Sequence, residues 1–435
     1  MRSERELLSP VDAAWLRMDE RRDPADIGAV MLFDEPLDEA RVRALVEARI
    51  LVYRRFRARV VDDAPGKVTP PRWEDEPDFS LDAHFRRVRL DGAGDDALAA
   101  LLSRLMNEPT DFSRSPWTLT LIDGVGTGAA LFTRLSHCMG DGFALVDRLL
   151  SLADSDEADA RAGAPHTIAT HPDHAHGWLA SAAHVGREAR DLATALGHLL
   201  VLPFDPPTCF RQKVSGERRV AWSEAIPLDR VKAVAHARHA TVNDVLMAAM
   251  AGAYRRYMLD RGEVPASFRA IVPVNLRPPD EPIDHERGNW FGLVFLGLPV
   301  ELDTADARLA ALKREMDRIK DTKEAVVALG ILAALGRSPL VIDHIIEEIF
   351  SRKATVVVTN VPGPREHLQL AGVRMRDMWF WSPHPAGLGS GASILSYAGR
   401  VRVGIRGDVA VLPDPERLAR YFGEEIARWG DAGTP

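Results

Sequence analysis

The sequence predicts a two-lobed α/β protein, and three observations carry that prediction. Segments of strand-like and helix-like periodicity are mixed in each half of the chain. Between the halves, from Asp154 to about His176, the composition shifts to Ala, Asp, Gly, Pro and His, as in a linker or surface loop. The chain has 435 residues, 46% hydrophobic and 27% charged, which is ample apolar material for two or three domain cores.

The elements follow in order. "LSPVDAAWLRMDE" starts Ser-Pro-x-Asp and continues with apolar residues at helical spacing, a short capped helix. "DIGAVMLFDE" reads as a buried strand and "LDEARVRALVEARILVY" as a helix, with another in "ALAALLSRLMNEP". "PWTLTLIDGVGTGAALFTRLSHCMGDG" reads as two strands around a Gly-rich turn, and "FALVDRLLSLAD" as the helix after Gly142. "WLASAAHVGREARDLATALGHLLVLPF" is an amphipathic helix with a strongly apolar end. The second half restarts with strand "RRVAWSEAIPL" and helices "LDRVKAVAHARH" and "TVNDVLMAAMAGAYRRYMLDRG". Strands "FRAIVPVNLRP" and "GLVFLGLPVEL" follow, then a long helix from about Ala305. "ATVVVTNVPGP" is a buried β run, "GASILSYAGRVRVGIRGD" a hairpin, and "DPERLARYFGEEIARWG" a terminal helix. The chain shows no repeat at the roughly 20–50-residue periods of solenoids.

Charge and cysteine content exclude several function classes. Formal net charge is −8 with no long basic run, which argues against nucleic acid as a main partner. Cys138 and Cys209 are the only cysteines. They make no disulfide framework, suit a reducing cytoplasm and read as buried small hydrophobes. "MRSERELLSP" is too charged for a signal peptide, and no apolar run approaches the ~18 residues of a membrane-spanning helix. A cytoplasmic protein, soluble or peripheral, is expected.

Chemistry concentrates in "LSHCMGDGFAL". His137 at a strand end is placed as a general base, and Asp141 in the turn can hold the loop. Taken alone, H-x-x-x-D-G arises easily by chance, and a structural turn is its simpler account. His171, His174 and His176 have spacings that could bind zinc, but they sit in the linker-like stretch, where a solvated loop is the plainer reading. No metal site is expected. No G-x-S-x-G elbow occurs, and "GLGSGAS" lacks the ending of a phosphate loop. Thr241 reads as a helix N-cap, with Asn243 and Asp244 in the first turn. Asp244 suits the helix dipole, whereas Asn243 could aim its amide at a cavity. Asn360 ends a β run in a rigid Pro-rich turn.

Together, "LSPVDAAWLRMD", "PRWEDEPDFSLDAHFRRVRL", "SPWTLTLIDG", "SHCMGDG", "ATVNDVLMAAMAGAYRRY", "VPVNLR", "GNWFG" and "TNVPGP" resemble, in that order, the bacterial wax ester synthase/diacylglycerol acyltransferase family. The family lies within the CoA-dependent acyltransferase superfamily. The resemblance implies that superfamily's two-lobed fold, each lobe a mixed sheet with helices and the active-site tunnel between them. Residues 1–176 would form the N-terminal lobe, 177–215 a connecting helix and crossover, and 216–435 the C-terminal lobe.

The family motif is H-H-x-x-x-D-G; here its second His is His137, and Ser136 stands in place of the first. The family's Pro-Leu-Trp becomes Ser115-Pro116-Trp117. The implied reaction is direct transfer from acyl-CoA to diacylglycerol or a long-chain alcohol, with His137 taking the hydroxyl proton. No acyl-enzyme forms, and Cys138 points away. Asn243 is the expected oxyanion donor, with Asn360 second. Asp141 would pair with Arg277, and Gly142 and Asp244 would support the site. No cofactor is implied, because acyl-CoA is a substrate. Peripheral contact with the inner membrane or lipid droplets is the implied location of the lipid acceptor, and "LATALGHLLVLPF" and "MWFWSP" are candidate contacts, with a core role favoured for both. Two alternatives remain: a condensation-domain-like former of amides or esters, and a non-catalytic lipid-binding relative.

Overall fold

The computed structural model describes residues 6–19, 25–62, 71–140, 148–154, 203–275, 289, 291–320, 351–384 and 387–431. In the first half the strands are β1 Glu6–Leu7, β2 Asp26–Phe33, β3 Ala58–Val61, β4 Arg72–Asp75, β5 Phe85–Arg89, β6 Trp117–Val125 and β7 Gly128–Ser136. The second half adds β8 Arg218–Trp222, β9 Ile226–Pro227, β10 Phe268–Asn275, β11 Phe291–Leu298 and β12 Val356–Pro362. It ends with β13 Gln369–Leu370, β14 Val373–Trp381, β15 Ser390–Tyr397 and β16 Arg400–Asp408. The helices are α1 Pro10–Asp19, α2 Glu39–Arg49, α3 Gly94–Met106, α4 Leu228–Ala237, α5 Val242–Asp260, α6 Ala305–Lys320 and α7 Pro415–Asp431.

A six-stranded sheet runs β13-β14-β2-β7-β6-β5. The apolar run of β2 is continuous because both faces are covered. Ile27, Ala29, Met31 and Phe33 enter the core shared with α1 and α2. Val30 and Leu32 face the opposite way, onto Leu98, Leu102, Leu105 and Met106 of α3. Two strands from the second half of the chain, β13 and β14, extend this sheet through β14 pairing antiparallel to β2. "MWFWSP" is therefore core. Trp379 and Trp381 are fully buried against Trp222 of β8, while Met378 and Phe380 fill the other face.

The second sheet runs β11-β10-β12-β15-β16-β8, with β9 also on β16. Its centre, β10-β12-β15, is parallel. Helix α5 packs on one face, with residues from Val245 to Ala253 buried on all sides, and α4, α6 and α7 close that core. Two boundaries differ from the sequence expectation. Helix α2 stops at Arg49, because Ile50 turns into the N-terminal core and Arg54–Arg57 form a 3-10 turn. "RRVAWSEAIPL" is two strands, broken where Ser223 binds Val403 of β16 through both backbone and hydroxyl. The His171–His176 stretch, and most of "LATALGHLLVLPF", lie outside the described residues. Among the described residues no helix is long and apolar enough to cross a membrane.

Candidate active site

Strand β7 ends at Ser136, and His137–Met139 form a 3-10 turn capped by the Ser136 hydroxyl, which accepts from Cys138 N at 3.5 Å. The backbone N–H of His137 donates to Ala25 O at 2.8 Å, which prolongs the β2–β7 ladder by one residue. The imidazole is 6% exposed. It stacks on the indole of Trp15, with centroids 3.9 Å apart and planes inclined by 14°, and Phe291 leans on it at 5.6 Å.

Two carbonyls of the turn, those of His137 and Met139, are held from outside it. Asn289 Nδ2 donates to His137 O at 2.8 Å, and Arg55 Nη1 donates to Met139 O at 3.2 Å. Asp12 joins these two donors. Its Oδ1 accepts from Asn289 N at 2.9 Å and Nδ2 at 2.7 Å, and its Oδ2 lies 3.3 Å from Arg55 Nη1. Complete burial pushes the Asp12 carboxyl above the ordinary carboxylate range, against the pull of Arg55 and the Asn289 hydrogen bonds.

The altered Ser-Pro-Trp triplet is part of this scaffold. Ser115 Oγ donates to Arg55 O at 2.9 Å and Trp117 Nε1 to Phe56 O at 3.0 Å, while Pro116 O accepts from Ser136 N at 3.0 Å. Ser115 thus fixes the backbone that presents Arg55.

Ser136 has a defined job as well. Its hydroxyl donates to Asp19 Oδ2 at 2.7 Å and lies 3.3 Å from Cys138 Sγ. Asp19 Oδ1 accepts from Ala25 N at 3.1 Å, so the carboxylate ties the end of α1 to the segment that holds His137 N. Burial first, and then the charge of Asp26, pushes the Asp19 carboxyl up to about 6. Asp26 is itself bound by Arg406 at 2.8 Å, with Arg134 at 3.6 Å. Cys138 is buried and free, and burial raises its thiol, as befits a core residue.

A stability consequence follows for Asp19. Below about pH 4 the folded and unfolded chains both hold this proton, whereas between about pH 4 and pH 6 only the folded protein does, so the stability present below pH 4 falls across that window and its loss is complete once pH has risen through about 6. Asp19→Asn, which can still bond Ser136, is expected to match the parent's Tm near pH 4, where the carboxyl is protonated in both states. At about pH 8 it should exceed the parent by ~1–3 kcal/mol in unfolding free energy. Melts across that range check it; a constant difference would mean that Asp19 does not titrate there.

At the second sheet, Thr241 caps α5. Its Oγ1 accepts from Asp244 N at 3.1 Å, and Asp244 Oδ2 accepts from Thr241 N at 2.8 Å. Asp244 is therefore one half of a capping box, a structural group. This box orients Asn243, whose Oδ1 accepts from Asn360 Nδ2 at 3.0 Å. Asn360 alternates in step with Val356 and Val358, which face the α5 core. Both asparagines are half-buried. With its oxygen occupied by Asn360, Asn243 turns its Nδ2 donors elsewhere.

Strand direction sets Asn360 toward the end of the second sheet where Phe291 meets His137. Phe291, against the His137 ring, pairs with Asn275 at the end of β10. Strands β10 and β12 are in parallel register, with Ala270 opposite Val356 and Ile271 opposite Val357. Asn360 lies three residues beyond the last of these pairs, toward the same end of the parallel strands as Asn275. The imidazole and the amide pair border the same end of the sheet.

Asp141, Gly142 and Arg277 lie outside the described residues. Sequence reasoning had missed Asp12, Trp15, Asp19, Arg55 and Asn289. For three of them a signal exists: positions 12, 15 and 19 share one face of α1 at helical spacing. Asn289 lies in "GNWFG", one of the motifs that carry the resemblance, whereas Arg55 has no comparable local pattern.

A family model described as the wax ester synthase/diacylglycerol acyltransferase catalytic domain matches residues 8–246, and the corresponding C-terminal domain matches residues 287–428. A probable diacylglycerol O-acyltransferase of Mycobacterium tuberculosis is 28% identical over 97% of this chain and 95% of its own length. A second one from that organism is 29% identical over 97% and 98%. Among solved structures, the wax ester synthase/diacylglycerol acyltransferase from Marinobacter aquaeolei VT8 superimposes with a TM-score of 0.71 at 22% identity, covering 98% of each chain. The starter condensation domain of rhizomide synthetase superimposes with a TM-score of 0.60 at 16% identity, covering 99% of this chain and 96% of that one.

Proposed function

The chain belongs to the wax ester synthase/diacylglycerol acyltransferase family and is an acyltransferase; from that premise we propose that it moves a fatty acyl group from acyl-CoA to diacylglycerol or a long-chain alcohol, with His137 as general base. The observation that carries the reading is a buried imidazole anchored through its backbone and stacked on Trp15, with the Asn243–Asn360 amide pair toward the same sheet end as Phe291.

His137 takes the proton of the acceptor hydroxyl as its oxygen attacks the thioester carbonyl. The carbonyl oxygen becomes an oxyanion, for which Asn243 Nδ2 is the proposed donor. Asn360, holding the other end of that amide, is a positioning residue. Collapse of the intermediate forms the ester and breaks the carbon–sulfur bond, and the imidazolium returns its proton to the CoA thiolate. Burial and desolvation of Cys138 support a direct transfer without an acyl-cysteine. The lipid acceptor calls for peripheral contact with a membrane or droplet surface. Phe204, 60% exposed with the cationic ends of Arg352 and Lys353 at 5.7 and 5.4 Å, supports such contact.

Thiol release and ester formation from palmitoyl-CoA, with hexadecanol or dipalmitoylglycerol as acceptor, test the reading. Asn243→Ala is expected to lower kcat about a hundredfold while KM for acyl-CoA stays within a few fold. No turnover with either acceptor, with lipid binding retained, would overturn the assignment in favour of a lipid-binding protein.

A further inference from the structure

Trp15 is 5% exposed, and its Nε1–H has no hydrogen-bond partner among the described residues. Burying an indole N–H without an acceptor costs free energy that phenylalanine or leucine would not incur. The hydrogen-bonding end of this side chain therefore does not explain an indole here. What the indole does offer is its face, laid on the His137 ring at 3.9 Å and 14°. Of the aromatic side chains, indole has the face best suited to a cation.

We propose that Trp15 assists the reaction through His137, orienting the imidazole and stabilising the imidazolium formed when the ring holds the acceptor's proton. This rests on the reading of His137 as the base. The neutral ring before attack gains less from the indole face than the charged ring after it. The stack therefore lowers the barrier rather than merely tightening the ground state. Helix α1 suits the role, because Asp12, one turn earlier, anchors the His137 carbonyl through Asn289. Among the described residues the other charged groups around the turn are Asp19 on α1, Arg55 in the 3-10 turn after α2 with Glu6 paired to it, Asp26 at the start of β2, Arg134 on β7 and Arg406 on β16. Asp12 is matched by Arg55, and Asp26 by Arg406 and Arg134. Asp19 titrates near 6 and would overlap the profile, so the comparison belongs in an Asp19→Asn background.

The experiment is a set of pH–rate profiles with palmitoyl-CoA and hexadecanol for the Asp19→Asn protein alone and with Trp15→Leu, Trp15→Phe or His137→Ala added. Trp15→Leu is expected to lower kcat roughly 3- to 30-fold with KM within about twofold. Its acid limb should move to lower pH by about half to one unit. Trp15→Phe should recover most of both effects. Should the leucine variant fail to fold, Trp15→Met, which fills more of the space, serves in its place. An unmoved acid limb in the folded aliphatic variant, or no recovery with phenylalanine, overturns the proposal. If the Trp15 variants fail in that way while His137→Ala is inactive, His137 stands as base and Trp15 falls alone. An active His137→Ala protein removes the base and this proposal with it.

Discussion

His137→Ala is expected to lower kcat by about 10²–10⁴, the usual contribution of a positioned general base. The fold should survive, because two bonds that fix this residue run through its backbone. The N–H to Ala25 O and the carbonyl to Asn289 Nδ2 are both available to alanine. The loss includes the stack on Trp15 and the contact with Phe291, together worth about 1–2 kcal/mol of packing. Steady-state kinetics beside a thermal melt separate the two effects. A kcat within tenfold of the parent would exclude His137 as the base.

Asp12→Ala should damage stability more than any other single change around the turn, by about 3–5 kcal/mol. The carboxylate is fully buried, and its removal takes one of two ion-pair partners from Arg55, whose side chain is 7% exposed and whose other partner is Glu6 at 3.4 Å. It also removes the acceptor for both the backbone N–H and the side-chain amide of Asn289. Asn289 would then hold the His137 carbonyl with nothing fixing its own position, so kcat should fall together with the melting temperature. Asp12→Asn keeps the shape but turns a donor toward donors, and is expected to lie between parent and alanine. Urea unfolding monitored by fluorescence checks the order. A loss below about 1 kcal/mol for alanine would show that Asp12 does not hold the two halves of this site together.

Local pattern determined much of the scaffold. The continuous apolar run of β2 and the capping signature Thr241–Asp244 were legible because each records a local requirement, burial on both faces in one case and orphan N–H groups at a helix start in the other. The ordered motifs likewise marked His137, Asn243 and Asn360 for attention. Their relationship was not legible. Asn243 and Asn360 are 117 residues apart and meet because a parallel strand order delivers the end of β12 to the start of α5. Strands β13 and β14 cross to the first sheet, a step that periodicity does not register. Arg55 and Asn289 reach the His137 turn only through chain packing, with Asp12 as their common partner. Ser136 shows the division most clearly. Its identity as a departure from the family motif was evident in the sequence, whereas its bond to Asp19 was decided by the close approach of α1 to the end of β7. Which residues carry chemistry is written in residue type and order. Which of them are neighbours depends on long-range packing, to which no short stretch of sequence is sensitive.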